Sequence, residues 1–171
     1  MLYALRRKAG IMDVRPFRSA DLGRLLELTI ATFGPFHEQS FPGIVGDTVA
    51  ANQHGNWRED YRNQWQGLHD PDNGKYVVVA EDHDEIVGFI AWTMRPEKRS
   101  GEIGPMAVES AHRRHHVASA LCAHAFDDMR RHGIEVVSLG TGGDDFHAPA
   151  RALYDSLGMT PLPVVVYYKV L

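Results

Sequence analysis

The chain predicts one α/β domain built on a mixed sheet, on three observations. Apolar runs of strand length alternate with stretches whose apolar residues recur at helical spacing. Two of the runs are joined by the short polar segment Asp82-His83-Asp84-Glu85, an antiparallel hairpin signal. A length of 171 residues, 44% hydrophobic and 23% charged, suits a single full core and is too short for two ordinary domains.

Residues 1–11, basic and without the continuous apolar stretch of a secretory signal, read as an N-terminal extension or an upstream start, expected to be disordered. The domain itself is expected over 12–171. Val14-Arg15-Pro16-Phe17 predicts an edge strand, because Pro16 has no N–H to give a ladder. Ser19 and Asp21 then read as caps for a helix carrying Leu22, Leu25, Leu26, Thr29, Ile30 and Phe33, with Gly34-Pro35 as its stop. Residues 44–51 fit a helix. Trp57, Tyr61, Trp65 and Leu68 mark one face of another, an aromatic stripe that reads first as core. Pro71-Asp72-Asn73-Gly74 is a turn.

Residues 76–80 and 86–92 are the hairpin strands, and 102–108 the next strand. Gly104-Pro105 inside that strand predicts a bulge or a splay, since neither residue belongs in a central ladder. A helix from 116 to 132 carries Val117, Leu121, Ala125 and Met129 on one stripe, with Arg130, Arg131 and His132 at its negative end and Gly133 beyond. Residues 134–139 read as a strand, the glycine-rich 140–145 as a flexible loop, and Pro149 to Gly158 as a short helix. Val164 to Val170 is expected to close the sheet, and as an exposed final strand it offers an edge to a twin in a homodimer.

The net charge of −4 and the pI near 6.2 argue against nucleic acid as partner and mildly favour a cationic amine. No apolar run reaches the length of about 20 residues that spans a bilayer, so no membrane partner is expected. The single cysteine, Cys122, excludes an intrachain disulfide, accords with a reducing cytoplasm, and reads as a buried small apolar residue. Ten histidines invite a metal, yet none has the spacing of a recognisable site, so no metal is expected.

The tract from Met106 to Met159 carries the functional signal. Met106-Ala107-Val108 feeds Arg113-Arg114-His115-His116-Val117-Ala118-Ser119, a cationic turn that opens a helix. Such a junction offers backbone N–H groups and the positive helix end to a phosphate. The order strand, Arg-x-x-Gly-x-Gly/Ala turn, helix, strand, then Asn-x-x-Ala-x-x-x-Tyr-x-x-x-Gly-Phe resembles the GNAT family of N-acetyltransferases. His116 stands where that turn has its middle glycine, and His147 where the family often has asparagine, three residues before Ala150.

The resemblance implies a mostly antiparallel sheet with a splayed or bulged central strand, and acetyl-CoA as co-substrate. It implies that Met106, Ala107 and Val108 pair with the pantetheine arm, and that backbone groups from Arg114 through Ser119 hold the pyrophosphate beside the Arg113 and Arg114 charges. His147 and Ala150 line the cofactor, Tyr154 is the general acid and Glu102 the general base. Phe36, His37, Glu38, Trp57 and Asp145 would shape an amine pocket. Small metabolites, aminoglycoside-like compounds and peptide amines all stay open as acceptors, and an acyl-CoA-binding sensor without turnover is the rival reading.

Overall fold

The computed structural model describes residues 12–171; the extension expected over 1–11 lies outside them. Five strands lie in spatial order β1 to β5: β1 Asp13–Pro16, β2 Lys75–Asp82, β3 Glu85–Arg95, β4 Ser100–Val108 and β5 Val136–Ser138. The first three junctions are antiparallel and β4–β5 is parallel, the mixed sheet that the sequence predicts. The β2–β3 hairpin turns on His83 and Asp84, both at positive φ (50° and 65°), as a two-residue primed turn requires.

Strand alternation sends apolar side chains to both faces, and each face is covered. On one side α5 (Val117–Arg131) lays Val117, Leu121, Cys122, Ala125 and Met129 against Val78, Ile90, Trp92 and Ile103. On the other, α1 (Leu22–Pro35) and α4 (Trp57–Trp65) bring Leu25, Leu28 and Trp65 onto Val77, Val79, Phe89 and Ala91. Phe89, fully buried, contributes on the order of 1.5–3 kcal/mol by its transfer from water. The aromatic stripe of α4 is core as read, with Trp57 and Trp65 both buried.

Three local expectations are corrected. Gly34-Pro35 does not stop the first helix. Pro35 is the last residue of α1, and the chain continues through a widened π turn, Phe36–Ser40, closed by the Phe41 N–H on the Phe36 carbonyl, into α2 (Phe41–Val45). A proline has no N–H and crowds the carbonyl four residues back, and a π turn absorbs that misfit without breaking the helix. Between 44 and 51 the chain forms the end of α2 and, past Gly46 at φ 84°, the start of α3 (Asp47–His54), not one helix. Asp21, rather than Ser19, organises the start of α1: its carboxylate accepts from the Arg18 N–H at 2.7 Å and from Arg15 Nη1 at 2.8 Å.

The last strand is a larger correction. Residues 159–171 form no strand, and the sheet ends at β5. The Val164 to Tyr168 run has strand composition, but composition cannot supply a partner edge within reach.

Candidate active site

The centre of the molecule is a defect in the sheet. In the β3–β4 pairing Ile90 faces Met106 while Trp92 faces Ile103, so Gly104 and Pro105 stand together opposite Ala91. One extra residue in β4 reverses its side-chain parity, and as a result Ile103 and Met106 both face α5. Proline tolerates such a place because its missing N–H is outside the ladder. On the other edge, β4 pairs with β5 only from Ser100↔Val136 to Glu102↔Ser138. Beyond that pair the strands part, and among the described residues no strand lies against this edge of β4 over residues 104–108. The bulge and splay read from Gly104-Pro105 are both present.

The basic turn lies beyond the end of β4. Ser110–His112 make one 3-10 turn, Arg113 is extended, and its Nε donates to the Val108 carbonyl at 3.2 Å, which ties the turn to the strand. Arg114 and His116 both have left-handed backbones, φ 61° and 62°. No side chain caps the first turn of α5, so its N–H groups are available to a ligand at the positive end of the helix. Arg114, His115 and His116 are exposed around them. The family glycine is therefore a conformational demand as well as a matter of room, and His116 meets it with a strained backbone.

Behind the slot the two α/β units meet at Cys122. Its Sγ lies 3.8 Å from Met106 Sδ on β4, and it adjoins Tyr154 of α6 (Ala148–Ser156). Burial pushes the Cys122 thiol up to about 11, and burial with this neighbour pushes the Tyr154 hydroxyl up to about 12. Both groups hold their protons at neutral pH. Glu102 occupies the opposite face: a Cβ on Gly101 would meet Met129 of α5, and Ile103 also faces α5, so the exposed residue between them projects toward the α1–α4 side. The predicted acid and base thus flank the mouth of the slot from its two faces.

The β5–α6 loop closes the mouth. Asp144 accepts from the His147 N–H at 3.3 Å and its other oxygen lies 2.7 Å from His147 Nδ1. That contact fixes a proton on Nδ1 and leaves Nε2 as the acceptor. Arg151 Nη1 donates to the carbonyls of Gly142 and Asp144, both at 2.6 Å. A Cβ on Gly142 would fall 2.3 Å from Asp144 Oδ2 and 2.4 Å from His147 Nδ1, so the loop holds the pair only because a glycine is there. The flexible loop expected here is a pinned one. Asp144 escaped the sequence reading, although an Asp three residues before a helix start is itself a capping signal.

On the acceptor side, Phe36 rests on Phe146 and His147, with ring centroids 5.5 and 4.8 Å away. His37 stacks on Trp57 at 4.8 Å, and its Nε2 lies 3.3 Å from the Tyr61 hydroxyl. Burial and the adjacent His54 drop its pKa to about 4, so the ring is neutral. Of the predicted pocket residues, Phe36 reaches the loop; Trp57, 6% exposed, is a wall behind His37; Glu38 pairs with Arg58 at the surface; Asp145 is exposed while its neighbour Phe146 makes the contact. A separate hollow of about 600 Å³ lies by Arg15, Asp21, Arg24 and Glu109, whose charges are paired with one another (Arg15–Asp21 2.8 Å, Arg24–Glu109 2.7 Å). Among the described residues no cluster could hold a metal ion, and no helix is long and apolar enough to cross a membrane.

This geometry is shared. The chain is 31% identical over 93 residues to the mycothiol acetyltransferase of Beutenbergia cavernae, covering 54% of this chain and 31% of that protein. Over 79 residues it is 35% identical to the uncharacterized N-acetyltransferase YsnE of Bacillus subtilis, covering 46% and 52%. The matched stretches thus span about a third and a half of these curated relatives. Among solved structures, the aminoglycoside N-acetyltransferase AAC(6')-Iy in complex with CoA superposes with a TM-score of 0.67 at 14% identity, over 97% of this chain and 99% of that one, a likeness of fold. The model of the acetyltransferase (GNAT) family matches residues 38–159, a span that holds the bulged strand, the basic turn and the Tyr154 helix, and the chain belongs to that family.

Proposed function

We propose that this protein moves the acetyl group of acetyl-CoA to a primary amine, with a small molecule as acceptor, by direct attack of the amine on the thioester. The observation that carries the reading is the slot: β4–β5 pairing ends at Glu102↔Ser138, the bulge follows, and an uncapped α5 stands at its far end. These features fit the cofactor. The unpaired edge over Met106, Ala107 and Val108 would bind the pantetheine arm as another strand binds, and the N–H groups from Arg114 to Ser119 would hold the pyrophosphate, with Arg113 and Arg114 adding charge. His147 and Ala150 would line the arm, His147 oriented by Asp144.

The acceptor enters from the α1–α4 side. Glu102 takes the proton from the amine as the C–N bond forms, and the C–S bond breaks toward α5 and α6. There the Tyr154 hydroxyl, kept protonated by burial, gives its proton to the departing thiolate. The 14%-identical aminoglycoside enzyme supports an amine acceptor of that general size, and the acidic net charge suits a cation. The single cysteine, buried as Cys122, accords with a cytoplasmic protein.

Acetyl-CoA at 100 times its dissociation constant is expected to stabilise the fold by about 2.7 kcal/mol, read as a rise in melting temperature. Thiol release with a panel of amines is expected to follow. An unmoved melting temperature would sink the cofactor assignment, and binding without thiol release from any amine would leave a sensor of acyl-CoA.

A further inference from the structure

The residues from Leu162 to Leu171 carry the largest apolar exposure in the described chain. Leu162, Val164, Val165, Val166, Tyr167, Val170 and Leu171 all stand open to solvent, Tyr167 at 89%. An isolated exposed side chain is ordinary, but a contiguous run of this kind marks a surface made for a partner. The run is rich in β-branched and aromatic residues and apolar at successive positions, the composition of a strand covered on both faces.

The same molecule lacks a strand elsewhere. β5 is the edge of the sheet, and among the described residues nothing pairs with its outer side. Val136 on it is 64% exposed. Beside it, α6 has no buried residue at all, and its Leu153 and Leu157 are only half covered where they pack on the α5 side of the core. An apolar strand with no sheet and a sheet edge with no strand thus coexist in one chain.

The connection between them explains why the tail does not fill its own gap. Past the left-handed Gly158 (φ 76°) runs Thr160-Pro161-Leu162-Pro163. Each proline fixes its own φ near −65° and drives the residue before it to extended backbone, so this segment is a short rod that disfavours a tight reversal. The tail runs outward instead, and its Tyr168 leans on Phe41 of α2 at 6.0 Å rather than on β5.

We propose that two copies of this chain exchange their tails reciprocally, the segment around Val164–Val170 of each pairing with the outer edge of the other's β5 beside its α6. Exchange of an identical element is a low-cost route to a closed two-fold dimer, because each tail recovers in the partner the contacts it lacks at home. The two tyrosines of each tail cover about 150–250 Å² apiece, and with the valines the two tails reach the roughly 1,200–2,000 Å² of a stable interface.

Sedimentation velocity on the full chain, from low to high micromolar concentration, is expected to give twice the 19.1 kDa chain mass. Hydrogen exchange on the same protein is expected to show tail amides that gain protection as the dimer forms. The full-length double variant Val165→Asp/Tyr167→Asp, whose changes lie on residues outside the monomer's core, should be monomeric with an unchanged acetyl-CoA melting shift. A monomer at the highest concentration, tail amides unprotected at every concentration, a dimer that persists in the double variant, or assemblies that grow beyond two chains would each overturn the exchange. The wild-type exchange measurement decides the matter even if the double variant does not fold.

Discussion

The two sides of the slot are made of different materials. On the cofactor side, the elements that matter are main-chain features: a bulge at Gly104-Pro105, a strand edge left unpaired, two left-handed residues and an uncapped helix start. The acceptor side is a set of rings, Phe36, His37, Trp57, Tyr61 and Phe146, held against one another within 6 Å. Backbone geometry binds what every member of a family shares, the pantetheine and phosphates of one cofactor, and tolerates many side chains. Rings and their spacing decide which acceptor fits, and they are free to differ between members. Substitutions on the first side should therefore change chemistry and cofactor affinity in steps that can be named in advance, while those on the second should change acceptor preference and the state of the aromatic packing.

The largest expected effect is at Tyr154. Its hydroxyl, held near 12 mainly by burial and then by Cys122, is protonated throughout the neutral range. Tyr154→Phe removes one oxygen and keeps the ring. Loss of a positioned proton donor lowers kcat by roughly 10²- to 10⁴-fold, with acetyl-CoA affinity nearly intact, as befits an interaction made in the transition state. Thiol-release kinetics, calorimetric binding and a thermal melt on one preparation check it. Full activity in Tyr154→Phe would remove the residue from the mechanism, and a changed melt with unchanged kcat would make it a core tyrosine.

How much of this was legible in the sequence follows the same division. Gly104-Pro105 announced the bulge because both residues are incompatible with a regular ladder, and the Arg113–Ser119 turn announced itself because helix starts and basic residues are local signals. His116 was visible as a missing glycine, but its positive φ was not, since a torsion angle leaves no mark on the letters. The acceptor rings were visible only in part. Phe36 and Phe146 are over a hundred residues apart, and nothing local brings them together. Gly34-Pro35 misled because the rule that proline ends helices ignores the π turn as a third outcome. Val164–Val170 misled because strand composition is local whereas strand pairing is not.

The acceptor side yields a pH signature of intermediate size. His37 titrates near 4 in the folded protein, against 6.5 ordinarily, mainly because it is buried and then because His54 adjoins it. Between those values the unfolded chain binds a proton that the folded chain refuses, so this residue's stabilising contribution is whole above about pH 6.5 and is lost progressively as the pH falls toward 4. Melting temperatures of the wild type and of His37→Phe, measured at pH 7.0 and 5.0 (about half a unit above the upper value and one above the lower), should show the variant losing less on acidification. Equal losses would mean that the ring finds solvent or a partner when it charges, and that the aromatic side is looser than its stacking suggests.

The smallest expected effect sharpens the cofactor side. His116 has φ 62° and ψ 11°, a left-handed conformation that a side chain with a Cβ reaches only with strain. His116→Gly releases strain of order 1–3 kcal/mol, and the freer glycine in the unfolded chain takes back part of it, roughly 0.4–1 kcal/mol. The net expectation is a gain of about 1 kcal/mol, a rise of a few degrees in melting temperature for a domain of this size. Affinity for acetyl-CoA then separates two uses of the imidazole. The ring is exposed beside the uncapped N–H groups of α5. If it crowds the pyrophosphate, the glycine variant binds acetyl-CoA more tightly; if it donates to a phosphate oxygen, the variant binds more weakly although its fold is more stable. Opposite signs for stability and affinity, measured by melting without ligand and by calorimetry with it, would show that this chain accepts backbone strain at the turn in exchange for a hydrogen bond that glycine cannot make.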